Sequence, residues 1–131
     1  MEIKLHFISL LPKTFIYMTL IELRAKIHES FPEYVFEEHE DGMYLVLNRF
    51  AKEFTYKLDN GISESEIIRF FDFANAFSDS DDEEVMNLAA IGILEMLTDT
   101  KQAKQYARKY LKGKALSLFE SFYTSGWLHD V

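Results

Sequence analysis

Residues 82–97 read Asp82-Glu83-Glu84-Val85-Met86-Asn87-Leu88-Ala89-Ala90-Ile91-Gly92-Ile93-Leu94-Glu95-Met96-Leu97, a run whose apolar side chains leave almost no side of a helix polar. A helix that is apolar nearly all round must be enclosed by other elements, so this segment, reaching to about Thr98, is expected at the centre of the molecule. Ser78 to Asp82 supply N-cap candidates ahead of it, and Asp82, Glu83 and Glu84 suit a first turn, where the helix dipole favours negative charge. Gly92 costs a helix about 1 kcal/mol relative to alanine, and a close helix crossing explains its presence.

Working outward, Ser63 with Glu66 three residues later is a capping-box pattern and predicts a helix to about Phe77. Before it, Leu47, Phe50, Phe54 and Leu58 fall at spacings of three and four, which predicts an amphipathic helix over 43–58 that ends at Asn60-Gly61. Its opening run Tyr44-Leu45-Val46-Leu47 is β-prone. Pro12 and Thr14 suit a helix start, and Phe15, Met18, Ile21, Ala25 and Ile27 carry that helix to about Glu29. Phe31-Pro32 interrupts the chain, and Pro32 suits the first turn of a short second helix to about His39. Toward the C-terminus, a helix from Asp99 or Thr100 turns Ala103, Tyr106, Ala107, Tyr110 and Leu111 inward. Gly113 ends or bends it, and Leu116, Phe119 and Phe122 or Tyr123 continue to a stop at Ser125-Gly126, with Trp127-Leu128 packing back. The expected fold is all-α: a single domain over 1–131 of about six helices, arranged as an antiparallel bundle or a short helical-repeat-like stack.

Composition narrows the function. At 131 residues, with 48% hydrophobic and 15% aromatic content, the chain is long and apolar enough for one core and too apolar for disorder. Only 5 Gly and 2 Pro argue against a turn-rich all-β protein. Zero cysteines exclude a disulfide framework, a thiolate zinc site and a cysteine nucleophile, and fit a reducing compartment. The apolar stretch from Leu5 to Leu23 is broken by Pro12 and Lys13, and Glu22, Arg24 and Lys26 stand where a signal peptide needs small residues; it reads as ordered structure rather than a membrane span or leader.

Net charge is −8, from 14 Lys+Arg against 22 Asp+Glu, which disfavours a grip on phosphate backbones and favours a basic partner. The charge is uneven: residues 29–95 hold 17 Asp/Glu against 4 Lys/Arg, while residues 101–114 hold 6 Lys/Arg and no acid. The candidate partner-binding residues are therefore Asp79, Asp81, Asp82, Glu83 and Glu84, joined by a second acidic turn at Glu37, Glu38, Glu40 and Asp41. Each turn also has a plainer reading as a solvated, solubilising loop. Reversal of Asp81, Asp82, Glu83 and Glu84 to lysine is expected to slow association while leaving the fold intact. In the basic strip, Lys101, Lys104 or Gln105, Arg108 and Lys112 share one helix face, interleaved with Tyr106 and Tyr110. A solvated face is favoured there, and no direct nucleic-acid binding is expected.

Motifs for chemistry are missing. There is no His-Glu-x-x-His pair, Gly-x-Ser-x-Gly elbow, phosphate-binding loop or dinucleotide fingerprint. The Asp79–Glu83 run is superficially like a calcium loop but has Glu84 where glycine is needed and Ala90 where the bidentate glutamate is needed. His39 among Glu37, Glu38, Glu40 and Asp41 reads as a charged turn, and Glu95 shares a stripe with Glu84, Asn87 and Ile91 rather than facing a second catalytic group. No catalytic residue, metal or cofactor is assigned, and an enzyme is not expected.

The stretch from Phe70 to Leu97, above all Phe70-Phe71-Asp72-Phe73-Ala74 and the central run from Asp82, resembles small bacterial helical proteins of toxin–immunity gene pairs. It is similar to immunity proteins of contact-dependent growth inhibition and related polymorphic toxin systems. The resemblance implies a cytoplasmic, non-enzymatic inhibitor that binds one cognate toxin and blocks its active site or substrate surface. A basic nuclease toxin, such as a ribonuclease, would match the acidic charge. The alternative is a helical adaptor or regulatory domain with another protein partner.

Overall fold

A computed structural model describes residues 19–37 and 42–124. The described residues form six α-helices and no strand: α1 (Leu20–Ser30), α2 (Met43–Asp59), α3 (Glu64–Ser78), α4 (Glu83–Ala89), α5 (Lys101–Tyr110) and α6 (Gly113–Thr124). The all-α single domain read from the periodicity is the fold of the chain.

Each boundary has a local chemical cause. Thr19 is extended and caps α1 reciprocally with Glu22: the Glu22 N–H donates to Thr19 Oγ1 at 3.2 Å and the Thr19 N–H to Glu22 Oε1 at 2.9 Å. The helix that the spacing carries to Glu29 therefore begins after Thr19, and the expected Pro12–Thr14 start lies outside the described residues. Ser63 caps α3 by accepting from the Glu66 N–H, but the Glu66 carboxylate turns to Lys57 at 3.9 Å, so only half of the expected capping box forms. Thr100 caps α5 through the Ala103 N–H. Gly113 has φ 54°, a left-handed conformation that lets the chain turn sharply from α5 into α6. The Ser125-Gly126 stop and the Trp127-Leu128 packing lie outside the described residues.

Residues 34–37 are not helical, contrary to the short second helix expected there. Tyr34 and Phe36 are half-buried while Val35 between them is 76% exposed, the alternation of an extended segment. Tyr34 packs edge-on against Phe36 and Phe50 at 5.0 Å, and His28 Nε2 meets the Tyr34 carbonyl at 2.9 Å, so the segment is pinned between α1 and α2. The aromatic core continues through Phe54 stacked on Phe70 at 3.7 Å and Phe71 stacked on Tyr110 at 5.6 Å.

The central run is enclosed by α2, α3, α5 and α6, as its composition requires, leaving Glu84, Asn87 and Ile91 outward. It is not one regular helix. After α4 it widens into a π segment (Ala90–Leu94), with the Glu95 N–H donating five residues back to Ala90 O, and then tightens into a 3₁₀ turn (Glu95–Thr98). The widened turn coincides with the crossing of α2. A Cβ on Gly92 would stand 2.9 Å from Leu47 Cβ and 2.9 Å from Leu47 Cδ1, so the two backbones meet at the glycine. With its amide nitrogen facing the crossing, Asn48 donates to Ile91 O at 3.1 Å and Gly92 O at 2.8 Å, securing carbonyls that the π turn redirects.

Candidate functional site

The acidic turn connects α3 to α4. Asp79 is the C-cap of α3; Asp82 is the N-cap of α4, its Oδ1 accepting from the Glu84 N–H at 2.8 Å and the Val85 N–H at 3.4 Å. Asp79, Asp81, Glu83 and Glu84 are exposed, whereas Asp82 is half-buried. Lys114, from the first turn of α6, donates to Ser80 O at 2.8 Å and reaches Asp81 Oδ1 at 3.4 Å, holding the turn against the body. These positions divide the five predicted residues: Asp82 is structural, Asp81 partly neutralised, and Asp79, Glu83 and Glu84 have no ion pair among the described residues. Reversal of Asp82 to lysine therefore does not leave the fold untouched, because it removes a cap of about 1 kcal/mol.

Of the second acidic turn, only Glu37 is described. Glu38, Glu40 and Asp41 lie outside the described residues. Glu37 pairs with Arg49 at 3.0 Å, and Arg49 also meets Glu53 at 3.2 Å. All three line a groove of about 260 Å³ between the 31–37 segment, α2 and α3, over Phe50 and Phe70. Its other carboxylates are also matched: Glu33 by Arg69 at 3.6 Å and Glu66 by Lys57 at 3.9 Å.

A larger groove, about 400 Å³, adjoins the 79–84 turn. Lys26, Glu29 and Ser30 at the C-terminal end of α1 form one wall, Asp72 and Ala76 on α3 with Asp79 form the other, and Phe73, Phe77 and Val85 provide apolar surface. Asp72 escapes a periodicity reading because it reads only as the polar interruption of a Phe-rich helix. Glu29 and Asp79 do carry a signal: both are acids at helix C-termini, where the dipole disfavours negative charge. Among the described residues no group of three or more His, Cys, Asp or Glu could hold a metal ion, and no helix is long and apolar enough to cross a membrane.

The basic strip is also split. Lys101, Gln105, Arg108 and Lys112 share the exposed side of α5 and its end, whereas Lys104 is 7% exposed, on the side packed against the core, which takes it off the expected basic face. Tyr106 and Tyr110 are half-buried and stacked on each other at 6.2 Å rather than projecting as a platform for bases.

A family model described as a domain of unknown function (DUF7674) matches residues 24–126. The chain belongs to this family. No curated protein and no solved structure matches it. The DUF7674 span takes in both grooves, the 79–84 turn and the Gly92 crossing.

Asn75, which the sequence reading passed over, ties this domain together. Its Nδ2 donates to Tyr110 O at 3.1 Å and its Oδ1 accepts from the Lys112 N–H at 2.9 Å, so one amide on α3 serves two backbone groups of the α5–α6 corner. Together with Lys114, it fixes α6 beside the acidic turn.

Proposed function

We propose that the protein is an immunity protein: a cytoplasmic, non-enzymatic inhibitor that binds a cognate toxin, a basic nuclease domain of the ribonuclease kind, and blocks its active site. The observation that carries this reading is the exposed, unneutralised charge of Asp79, Glu83 and Glu84 on a turn held in place by Asp82 and Lys114. A nuclease that holds a polyanion presents the opposite charge, and such a pair gains long-range steering and fast association. The resemblance of residues 70–97 to immunity proteins agrees with it. Affinity needs an apolar anchor as well, and Tyr44, Leu45 and Ile91 are exposed apolar side chains of the required kind.

The test is co-purification with the product of the adjacent upstream gene, followed by a nuclease assay and association kinetics against salt. A one-to-one complex that silences a basic nuclease, with association slowed by salt and by the combined changes Asp79→Asn, Glu83→Gln and Glu84→Gln, is the expected result. Unchanged association for that variant removes the turn from the interface. The exposed Tyr44, Leu45 and Ile91 also favour a second reading, a helical adaptor; capture of a partner that is not a toxin, lost on Leu45→Glu, would select it.

A further inference from the structure

The two grooves differ in a way that decides what each could accept. In the smaller one every carboxylate among the described lining residues has a basic partner within the protein: Glu37 and Glu53 on Arg49, Glu66 on Lys57, Glu33 on Arg69. In the larger one Glu29, Asp72 and Asp79 have no ion pair among the described residues. Among the described residues on its lining, Lys26 is the one cation against three carboxylates. The backbone adds to the imbalance. Glu29 and Ser30 are the last residues of α1 and Asp79 caps the end of α3, so the negative ends of two helix dipoles meet at this groove. Neither helix gains stability from a carboxylate at that end. The two helix ends and the carboxylates together favour the approach of a cation.

The apolar surface specifies the kind of cation. A compact ion has nothing to gain from Phe73, Phe77 and Val85, whereas a lysine or arginine side chain has a hydrocarbon stem to lay on them and a charged head to place among the carboxylates. A volume of about 400 Å³ is at the low end for ligand sites, enough for side chains but not for a whole helix. We propose that this groove receives a lysine- or arginine-bearing segment of a basic protein partner, with the stem on Phe73, Phe77 and Val85 and the head among Glu29, Asp72 and Asp79. The immunity reading supplies only the identity of that partner; the chemistry of the groove stands without it.

The probe is the peptide acetyl-Ala-Arg-Ala-Arg-Ala-amide, titrated into the full chain while amide chemical shifts are followed. Its counterpart with both arginines replaced by neutral citrulline is the control. Shifts confined to 26–30, 72–80 and 85 are expected, with binding at least about tenfold weaker for the citrulline peptide and in high salt. Ala76 is exposed on the lining, so Ala76→Trp fills the groove while leaving every carboxylate in place. It should weaken binding by a similar factor, as should the isosteric Asp72→Asn. Shifts spread over the acidic surface or limited to 81–84, equal binding of citrulline, or normal binding by Ala76→Trp would overturn the proposal. So would equal occupancy of the groove by free spermidine, which would make it a polyamine site. In the toxin-capture assay the two readings separate. Capture lost with the neutralised turn but retained by Ala76→Trp removes the groove and leaves the immunity reading. Peptide shifts mapped to the groove with no toxin captured keep the groove and remove the inhibitor.

Discussion

Replacing Gly92 by alanine sets two effects of opposite sign against each other. In an isolated helix the change is stabilising by about 1 kcal/mol, because alanine restricts the unfolded chain. Here the new methyl would stand 2.9 Å from Leu47 Cβ, which is fixed to the α2 backbone, as well as 2.9 Å from Cδ1, which a rotamer change could move. The obstacle on Cβ yields only if the helices part, and overpacking of this type costs about 1–3 kcal/mol. Parting them also stretches the Asn48 bonds to Ile91 O and Gly92 O. The packing term wins, and Gly92→Ala should be less stable by up to about 2 kcal/mol, a fall in Tm of up to roughly 7 °C for a chain of this size. Urea unfolding followed by circular dichroism measures it. A second background sharpens the assignment: Leu47→Ala removes Cδ1 and keeps Cβ, so alanine at 92 should cost less there, with a coupling of about 0.5–1 kcal/mol. A Gly92→Ala protein more stable than its parent would refute the close crossing.

Asp82→Ala should lower stability by about 1 kcal/mol through loss of the α4 cap, while Glu83→Gln changes it far less; urea melts of the two variants make the comparison. Asn75→Ala leaves the Lys112 N–H and Tyr110 O without their partner and should cost about 1–3 kcal/mol, with hydrogen exchange at Lys112 accelerating more than exchange in α2. Phe70→Ala empties the centre of the aromatic core and should cost about 3–5 kcal/mol by chemical denaturation; a loss below about 1 kcal/mol would contradict the stacking of Phe54 on Phe70.

Most helix limits were readable because the chemistry that sets them is local. Ser63, Thr100 and Asp82 bear cap side chains, Gly113 supplies a left-handed turn, and the three-and-four spacing from Leu47 to Leu58 marks the buried side of α2. The first helix was misjudged because the apolar spacing passes smoothly through its true start, although Thr19 with Glu22 is itself a capping-box pair. Tyr34 and Phe36 were placed on a helix because a four-residue extended segment is too short to establish a period of two. Lys104 was set among surface cations because its residue type hides a hydrocarbon stem that packs inward. The π turn was invisible: in a run that is apolar on every side, a shift of one residue leaves no trace in the pattern. The acidic turn was found as a continuous string of carboxylates. The groove beside it was not, since Glu29 and Asp72 meet only through the packing of α1 on α3.

The π turn at Ala90–Leu94 acts as a one-residue phase shift in the longest apolar run of the chain. Each residue of an α-helix advances the side-chain direction by about 100°, so the extra residue sets how Leu97, Thr98 and everything after them are rotated relative to Leu88 and Ala89. Deleting a single residue there would straighten the helix locally and swing α5 and α6 out of register with α3, parting Asn75 from the corner it holds. A substitution in this run is a question of volume, but a deletion is a question of angle. Within the DUF7674 domain, the run should accept changes of side chain far more readily than changes of length.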